Sequence, residues 1–204
     1  EADILIGTQM IVKGHDFPNV TLVGVLAADL SLYVSDYHAA ERTFQLLTQA
    51  AGRAGRGSEP GEVVIQTYQP DHYSVQAAKE QDYEAFYEQE MEYRRMLLYP
   101  PVWNMLVILC ASKSEEAADA MAAELAAAAD AYTGKNTKEK VYLVGPVDAA
   151  IAKVNDIYKK IIYLKAESYD TLVKIKNRTE VYARESRYYK NVTVMFDFNP
   201  VNGF

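Results

Sequence analysis

The chain has 204 residues, half of them apolar, with 21 basic and 28 acidic side chains and a formal net charge of −7. That length suits one large or two small domains with a sizeable core. The single cysteine, Cys110, excludes a disulfide framework and suggests a reducing compartment. No apolar run reaches the roughly 18 residues of a membrane span, so a cytoplasmic chain without membrane contact is expected.

In chain order, Asp3–Ile6 and Val20–Leu26 are short, apolar and rich in β-branched residues, and both read as buried strands. A helix is expected over 38–51 and a third strand over 62–67, after the Pro60-Gly61 turn. Parallel strands alternating with a helix imply an α/β sheet. Three strands are few for such a sheet, so residues 1–70 read as the end portion of a larger lobe. The start at Glu1-Ala2-Asp3, without a methionine, suits a piece of a longer protein.

Residues 71–103 are expected to form a helical linker. Tyr83, Phe86, Tyr87, Met91 and Arg94 fall at helical spacing, predicting one helix over 82–97 that Pro100-Pro101 stops. The aromatic stripe suits core or interdomain packing; base stacking is the alternative. From 104 to 204 the pattern reads βαββαβ. The expected strands are Met105–Ala111, Val141–Val144, Tyr158–Ala166 and Val192–Phe198. Ser112 and Glu115 resemble a capping box that opens a helix with Ala117, Met121, Leu125 and Ala128 on its inner face. Ser168 is expected to cap a helix whose inner face holds Leu172, Ile175, Thr179 and Tyr182. This order predicts a ferredoxin-like sheet with two helices on one face. Cys110 lies in an apolar run and reads as a buried thiol.

Charge is unevenly spread. Residues 1–104 carry 7 basic and 15 acidic side chains, whereas 135–190 carry 13 basic and 7 acidic. A local basic surface can hold phosphates on an acidic molecule; a solvated mixed-charge surface is the alternative. His15, His38 and His72 each lack a second ligand at metal spacing, so no metal site is expected.

Two motifs carry chemistry. The first runs from Thr8 through Gln9, Lys13 and Gly14 to Asp16, between the first two expected strands. The second is Gln49-Ala-Ala-Gly52-Arg53-Ala-Gly55-Arg56, two arginines three apart, each behind a glycine. Glycine lets the backbone turn tightly and approach a partner closely. A guanidinium offers a planar fork of donors to phosphate oxygens. Taken alone, Asp16 could equally cap a local turn or pair with Arg53.

The two motifs resemble motifs V (T-x-x-x-x-K-G-x-D) and VI (Q-x-x-G-R-x-G-R) of superfamily-2 helicases, in the same order and spacing. The flanking text, Gly7-Thr8-Gln9-Met10 and Ala40-Glu41-Arg42 among it, narrows the resemblance to the PriA (primosomal protein N′) family of replication-restart helicases. It is close over 3–70 and continues more loosely through Pro100–Trp103 and Gly145–Lys153 to the C-terminus. The resemblance implies the end of a RecA-like second lobe, followed by a C-terminal domain that contacts DNA or partners. It implies an ATP-dependent 3′-to-5′ DNA helicase whose phosphate-binding P-loop and magnesium carboxylate lie elsewhere, because this chain has neither G-x-x-x-x-G-K-(S/T) nor D-E-x-H. ATP and magnesium are thus implied for the intact enzyme, and zinc with ligands outside this chain.

By resemblance, Arg56 is the finger on the γ-phosphate, Arg53 contacts phosphate or orders the interface, and Gln49 contacts nucleotide or water. Gly14 and Asp16 would approach the nucleotide. Thr8, Gln9 and Lys13 would hold a DNA strand, as would Lys159 and Lys160 in the C-terminal domain. Implied partners are branched or single-stranded DNA, single-strand-binding protein and primosome proteins. At Ser35-Asp36-Tyr37-His38 the chain departs from the family's P-D-F-R, which puts a phosphate contact at His38 in doubt. The rival functions are a nonenzymatic DNA- or partner-binding module, or a translocase of the RecG kind, which the βαββαβ tail argues against.

Overall fold

A computed structural model describes residues 3–8, 19–34, 36–57, 59–136, 139–201 and 203. The chain divides into two units, residues 1–92 and 93–204.

In the first unit, β1 (Leu22–Val25) and β2 (Glu62–Ile65) pair in parallel, with Leu22 opposite Glu62 and Val25 opposite Ile65. A 3-10 turn (Ala28–Tyr33) and helix α1 (Ala39–Ala51) form the crossover between them. Side chains alternate across a strand. One face of the pair therefore turns Val25 and Ile65 toward Phe44 and Leu47 of α1, while Leu22 and Val64 on the other face are exposed. Helix α2 (Tyr73–Glu80) adds Val75, Ala77 and Ala78 to this core. Phe86, from α3 (Tyr83–Leu97), stacks on Phe44 at 4.3 Å. The aromatic stripe thus packs through Phe86, whereas Tyr83 and Tyr87 remain exposed.

One expectation changes here. Residues 3–6 form no strand, and Ile4, Leu5 and Ile6 are exposed. A parallel strand buried on both faces needs neighbours on both sides, and among the described residues none pairs with this segment. The helix expected over 82–97 forms as α3, and α2 precedes it as an element the pattern did not announce. His72 caps α2 by accepting from Ser74 N at 3.2 Å, and Gln81 ends it in the left-handed region at φ 55°.

The second unit is the expected βαββαβ sandwich. Its sheet is antiparallel in the order β4-β5-β3-β6, built from β3 (Asn104–Ser112), β4 (Tyr142–Val154), β5 (Ile157–Ala166) and β6 (Thr193–Phe198). Helices α4 (Glu115–Asn136) and α5 (Tyr169–Glu185) cover one face. The chain is thus α/β in its first unit and α+β, ferredoxin-like, in its second. The core unites Leu106, Ile108, Met121, Leu125, Ile162, Leu164, Leu172 and Ile175, all fully buried. Each contributes on the order of 1.5–3 kcal/mol by leaving water.

Four details differ from expectation. Ser114, not Ser112, accepts from Ala117 N at 3.2 Å and caps α4; Ser112 instead donates to Asn191 O at 2.8 Å. β4 runs ten residues past Val144, to Val154. It turns at Asn155-Asp156, both at positive φ, which matches the twist of a tight hairpin. Tyr182 is 43% exposed and Ala183 takes the inner position, continuing the Ile175–Thr179 row by steps of four. Residues 93–103 pack with the second unit. Arg94 Nη1 donates to Pro100 O at 2.9 Å, Lys165 Nζ donates to Leu97 O at 2.9 Å, and Trp103 lies 5.6 Å from Tyr142.

Candidate nucleotide and nucleic-acid sites

The arginine motif forms the C-terminal end of α1. Gly52 N bonds to Thr48 O, after which Arg53 N and Ala54 N reach back only three residues, to Ala50 O and Ala51 O. Such tightening satisfies carbonyls that a helix end would otherwise leave bare. Gly55 then takes φ 70°, and its N–H donates to Val20 O, just ahead of β1, at 2.9 Å. The turn is clamped from the other side. A Cβ on Gly61 would sit 2.1 Å from Gly55 N, and one on Gly55 2.7 Å from Gly61 N. Only two glycines fit this crossing.

The result is a short segment that presents three of the expected site residues together. Gln49 is exposed on the last helical turn, Arg53 is half-buried, and Arg56 is exposed. Arg56 Nε donates to Gly52 O at 2.8 Å, fixing the root of the guanidinium on the helix end. The arrangement can present planar cationic donors to an anion at a defined place.

Thr8 is exposed. Gln9, Lys13, Gly14 and Asp16 lie outside the described residues, so the pairing of Asp16 with Arg53 is not described either.

Sequence reasoning missed the organising role of Asp36. Its side chain is 2% exposed. Arg42 Nη1 lies 2.7 Å from Asp36 Oδ2, and both the backbone N and Nδ1 of His38 lie within 3.1 Å of Asp36 Oδ1. Burial pushes the Asp36 pKa up. The hydrogen bonds from His38 and the charge of Arg42 outweigh it, and the net direction is downward. His38, the position of departure, is thus committed to Asp36 at the start of α1. The signal was an aspartate six residues before an arginine across a helix start, a spacing with no fixed geometry until the turn is known.

In the second unit, Lys160 is bound by two carboxylates, Asp148 at 2.7 Å and Asp119 at 2.8 Å. Those hydrogen bonds, Asp119 foremost, hold its ammonium well above the usual lysine range. Lys159 points to the opposite face of the sheet and is half-exposed. Neighbours in sequence thus fall on opposite faces, as strand alternation requires. Lys153 pairs with Asp156 at 3.0 Å, and Lys165 sits over the Tyr99 ring at 3.7 Å. Among the described residues, no three His, Cys, Asp or Glu side chains gather in a way that could hold a metal ion. No helix among them is long and apolar enough to cross a membrane.

Comparison with known proteins places these features in a family. Residues 95–201 match the family model described as the primosomal protein N C-terminal domain. The chain is 45% identical over 201 residues to the replication restart protein PriA of Bacillus subtilis, covering 98% of this chain and 24% of that protein. It is 42% identical over 169 residues to the protein of that name from Synechocystis, covering 83% and 20%. It is 34% identical over 203 residues to that of Borreliella burgdorferi, covering 99% and 30%. The chain therefore spans less than a third of the length of these relatives. It belongs to the family of the primosomal protein N C-terminal domain.

Proposed function

We propose that this chain is the part of an ATP-dependent, 3′-to-5′ DNA helicase of replication restart that completes the nucleotide site from its second lobe and contacts DNA through its C-terminal unit. The observation that carries the reading is the glycine-clamped turn that holds Gln49, Arg53 and Arg56 together at the end of α1. The relatives named for replication restart support it. In this reading ATP and magnesium are bound largely by residues outside this chain, and zinc wholly so.

Arg56 then places its guanidinium where charge builds up on the transferring phosphoryl group, and Arg53 and Gln49 position the nucleotide. Such an arginine is worth a thousand-fold or more, roughly, in phosphoryl transfer. Thr8, Gln9, Lys13, Gly14 and Asp16 link nucleotide to DNA. Branched and single-stranded DNA, single-strand-binding protein and primosome proteins are the proposed partners, in the cytoplasm.

The test is DNA-stimulated ATP turnover of the full-length enzyme. Arg56→Ala should lower turnover by roughly a hundred-fold with nucleotide binding less affected, because the charge matters most in the transition state. Arg56→Lys should rescue poorly, since a point charge replaces a planar fork. The 204-residue chain alone should hydrolyse no ATP. Near-normal turnover in Arg56→Ala would assign the finger to another group.

A further inference from the structure

Of the two sheet lysines expected to hold a DNA strand, Lys159 is half-exposed and Lys160 is committed to carboxylates, and their neighbours Lys153 and Lys165 are engaged as well. Lys160 is neutralised by Asp119 and Asp148, Lys153 by Asp156, and Lys165 is held against Leu97 O and Tyr99. The basic character of this unit lies instead on α5. Residues 174–190 carry six basic and two acidic side chains, with three tyrosines among them.

Helix geometry sorts these residues. Leu172, Ile175, Thr179 and Ala183 face the core. Lys174, Arg178 and Tyr182 follow one another at steps of four and line the outer side over roughly 12 Å. Glu180 is occupied by Lys176 at 2.6 Å and Arg184 at 2.9 Å. Among the described residues, no carboxylate pairs with Lys174, Arg178 or Lys190. Arg178 lies over the Tyr182 ring at 4.8 Å, and its Nη2 donates to the Tyr182 hydroxyl at 3.3 Å. Both side chains are exposed, so the pair offers a flat cationic surface already in place.

We propose that the outer face of α5 and the turn after it, from Lys174 to Lys190, is the surface through which this unit holds a single strand of nucleic acid. Lys174, Arg178 and Lys190 meet backbone phosphates, and Tyr182 meets a base. Cations spaced along a helix with a tyrosine between them match a strand of alternating phosphates and bases. An acidic peptide would complement the charge but leave the tyrosine face without a planar partner. The proposal rests on the DNA-contacting reading above and names the residues that carry it.

The test is fluorescence anisotropy of the full 204-residue chain with a labelled single-stranded oligothymidine, over a range of salt. Lys174→Ala with Arg178→Ala should weaken binding about ten-fold at low salt. It should also reduce the slope of log affinity against log salt by about 1.4, two phosphates' worth for a single strand. Tyr182→Ala should weaken binding about five-fold or more with the slope unchanged, and Tyr182→Phe should restore it. Circular dichroism checks that α5 persists, and Arg178→Gln provides a second variant of good helix propensity.

If the parent binds and the α5 variants bind equally well, the α5 assignment fails while DNA contact elsewhere stands. Failure of the parent to bind at low salt overturns the DNA reading of this unit and the proposal with it. Binding of a labelled acidic peptide at this face, with none of the oligonucleotide, likewise overturns it in favour of a protein partner.

Discussion

The clamp between Gly55 and Gly61 predicts a strong and local response to a single methyl group. In Gly61→Ala the new Cβ would lie 2.1 Å from Gly55 N and 2.5 Å from the Ala54 carbonyl carbon. Both are backbone atoms, so no side chain can swing aside, and overpacking of this kind costs about 1–3 kcal/mol. Gly55→Ala adds the left-handed backbone cost of about 1–2 kcal/mol to a 2.7 Å contact. Gly55→Ala should therefore destabilise the first unit by about 2–5 kcal/mol. The double variant should cost less than the sum, because both methyls strain one crossing.

Urea unfolding separates the units. Trp103, the sole tryptophan, lies in the second unit and reports it by fluorescence, while far-ultraviolet circular dichroism reports both. With a slope of about 1–3 kcal/mol per molar, the first unit's midpoint should fall by about 0.3 M or more in Gly61→Ala and about 0.7 M or more in Gly55→Ala, with the Trp103 transition unmoved. Gly134→Ala is the contrast. It lies in α4 with nothing within 4 Å of the new Cβ, and should stabilise by up to about 1 kcal/mol. An unchanged circular-dichroism midpoint in Gly61→Ala would refute the idea that this crossing holds the arginine turn.

Three further outcomes are expected. Cys110 is fully buried and its thiol pKa is pushed up to about 12 by burial, so thiol reagents at pH 8 should label it only as fast as the second unit opens; fast labelling of folded protein would contradict that burial. The folded pKa of Asp36 lies below its ordinary 3.8, so its stabilising contribution is complete above that value and fades as pH falls through the lower folded one. Acid titration of Asp36→Asn should accordingly lack part of the parent's loss of stability below about pH 4, and parallel curves would show that Arg42 and His38 do not stabilise the carboxylate. Residues 93–204 should outlast residues 105–204 by about 2 kcal/mol, roughly 10 °C in Tm, because the shorter piece loses Tyr99 and Trp103 and strips Lys165 of its carbonyl; equal melting temperatures would make 93–103 a mere tether.

Local pattern was enough for much of this molecule. Alternation placed Val194, Phe196 and Phe198 on the core side, and the 3.6-residue period placed Leu172, Ile175 and Thr179 inside α5, because such rules depend only on near neighbours. The βαββαβ order and the glycine-arginine motif were legible for the same reason. What depends on distant residues was not. Residues 3–6 have a strand's composition but, among the described residues, no neighbour to pair with, and β4 runs on to Val154 only because β5 pairs back along it. Lys160 looked like a cation for phosphate until folding set it between Asp119 and Asp148, forty-one and twelve residues away in sequence. Sequence settled which side chains could bind an anion. Tertiary structure decided which of them keep their charge available, because a carboxylate partner drawn from another element cancels a lysine that no local pattern can tell from its neighbours.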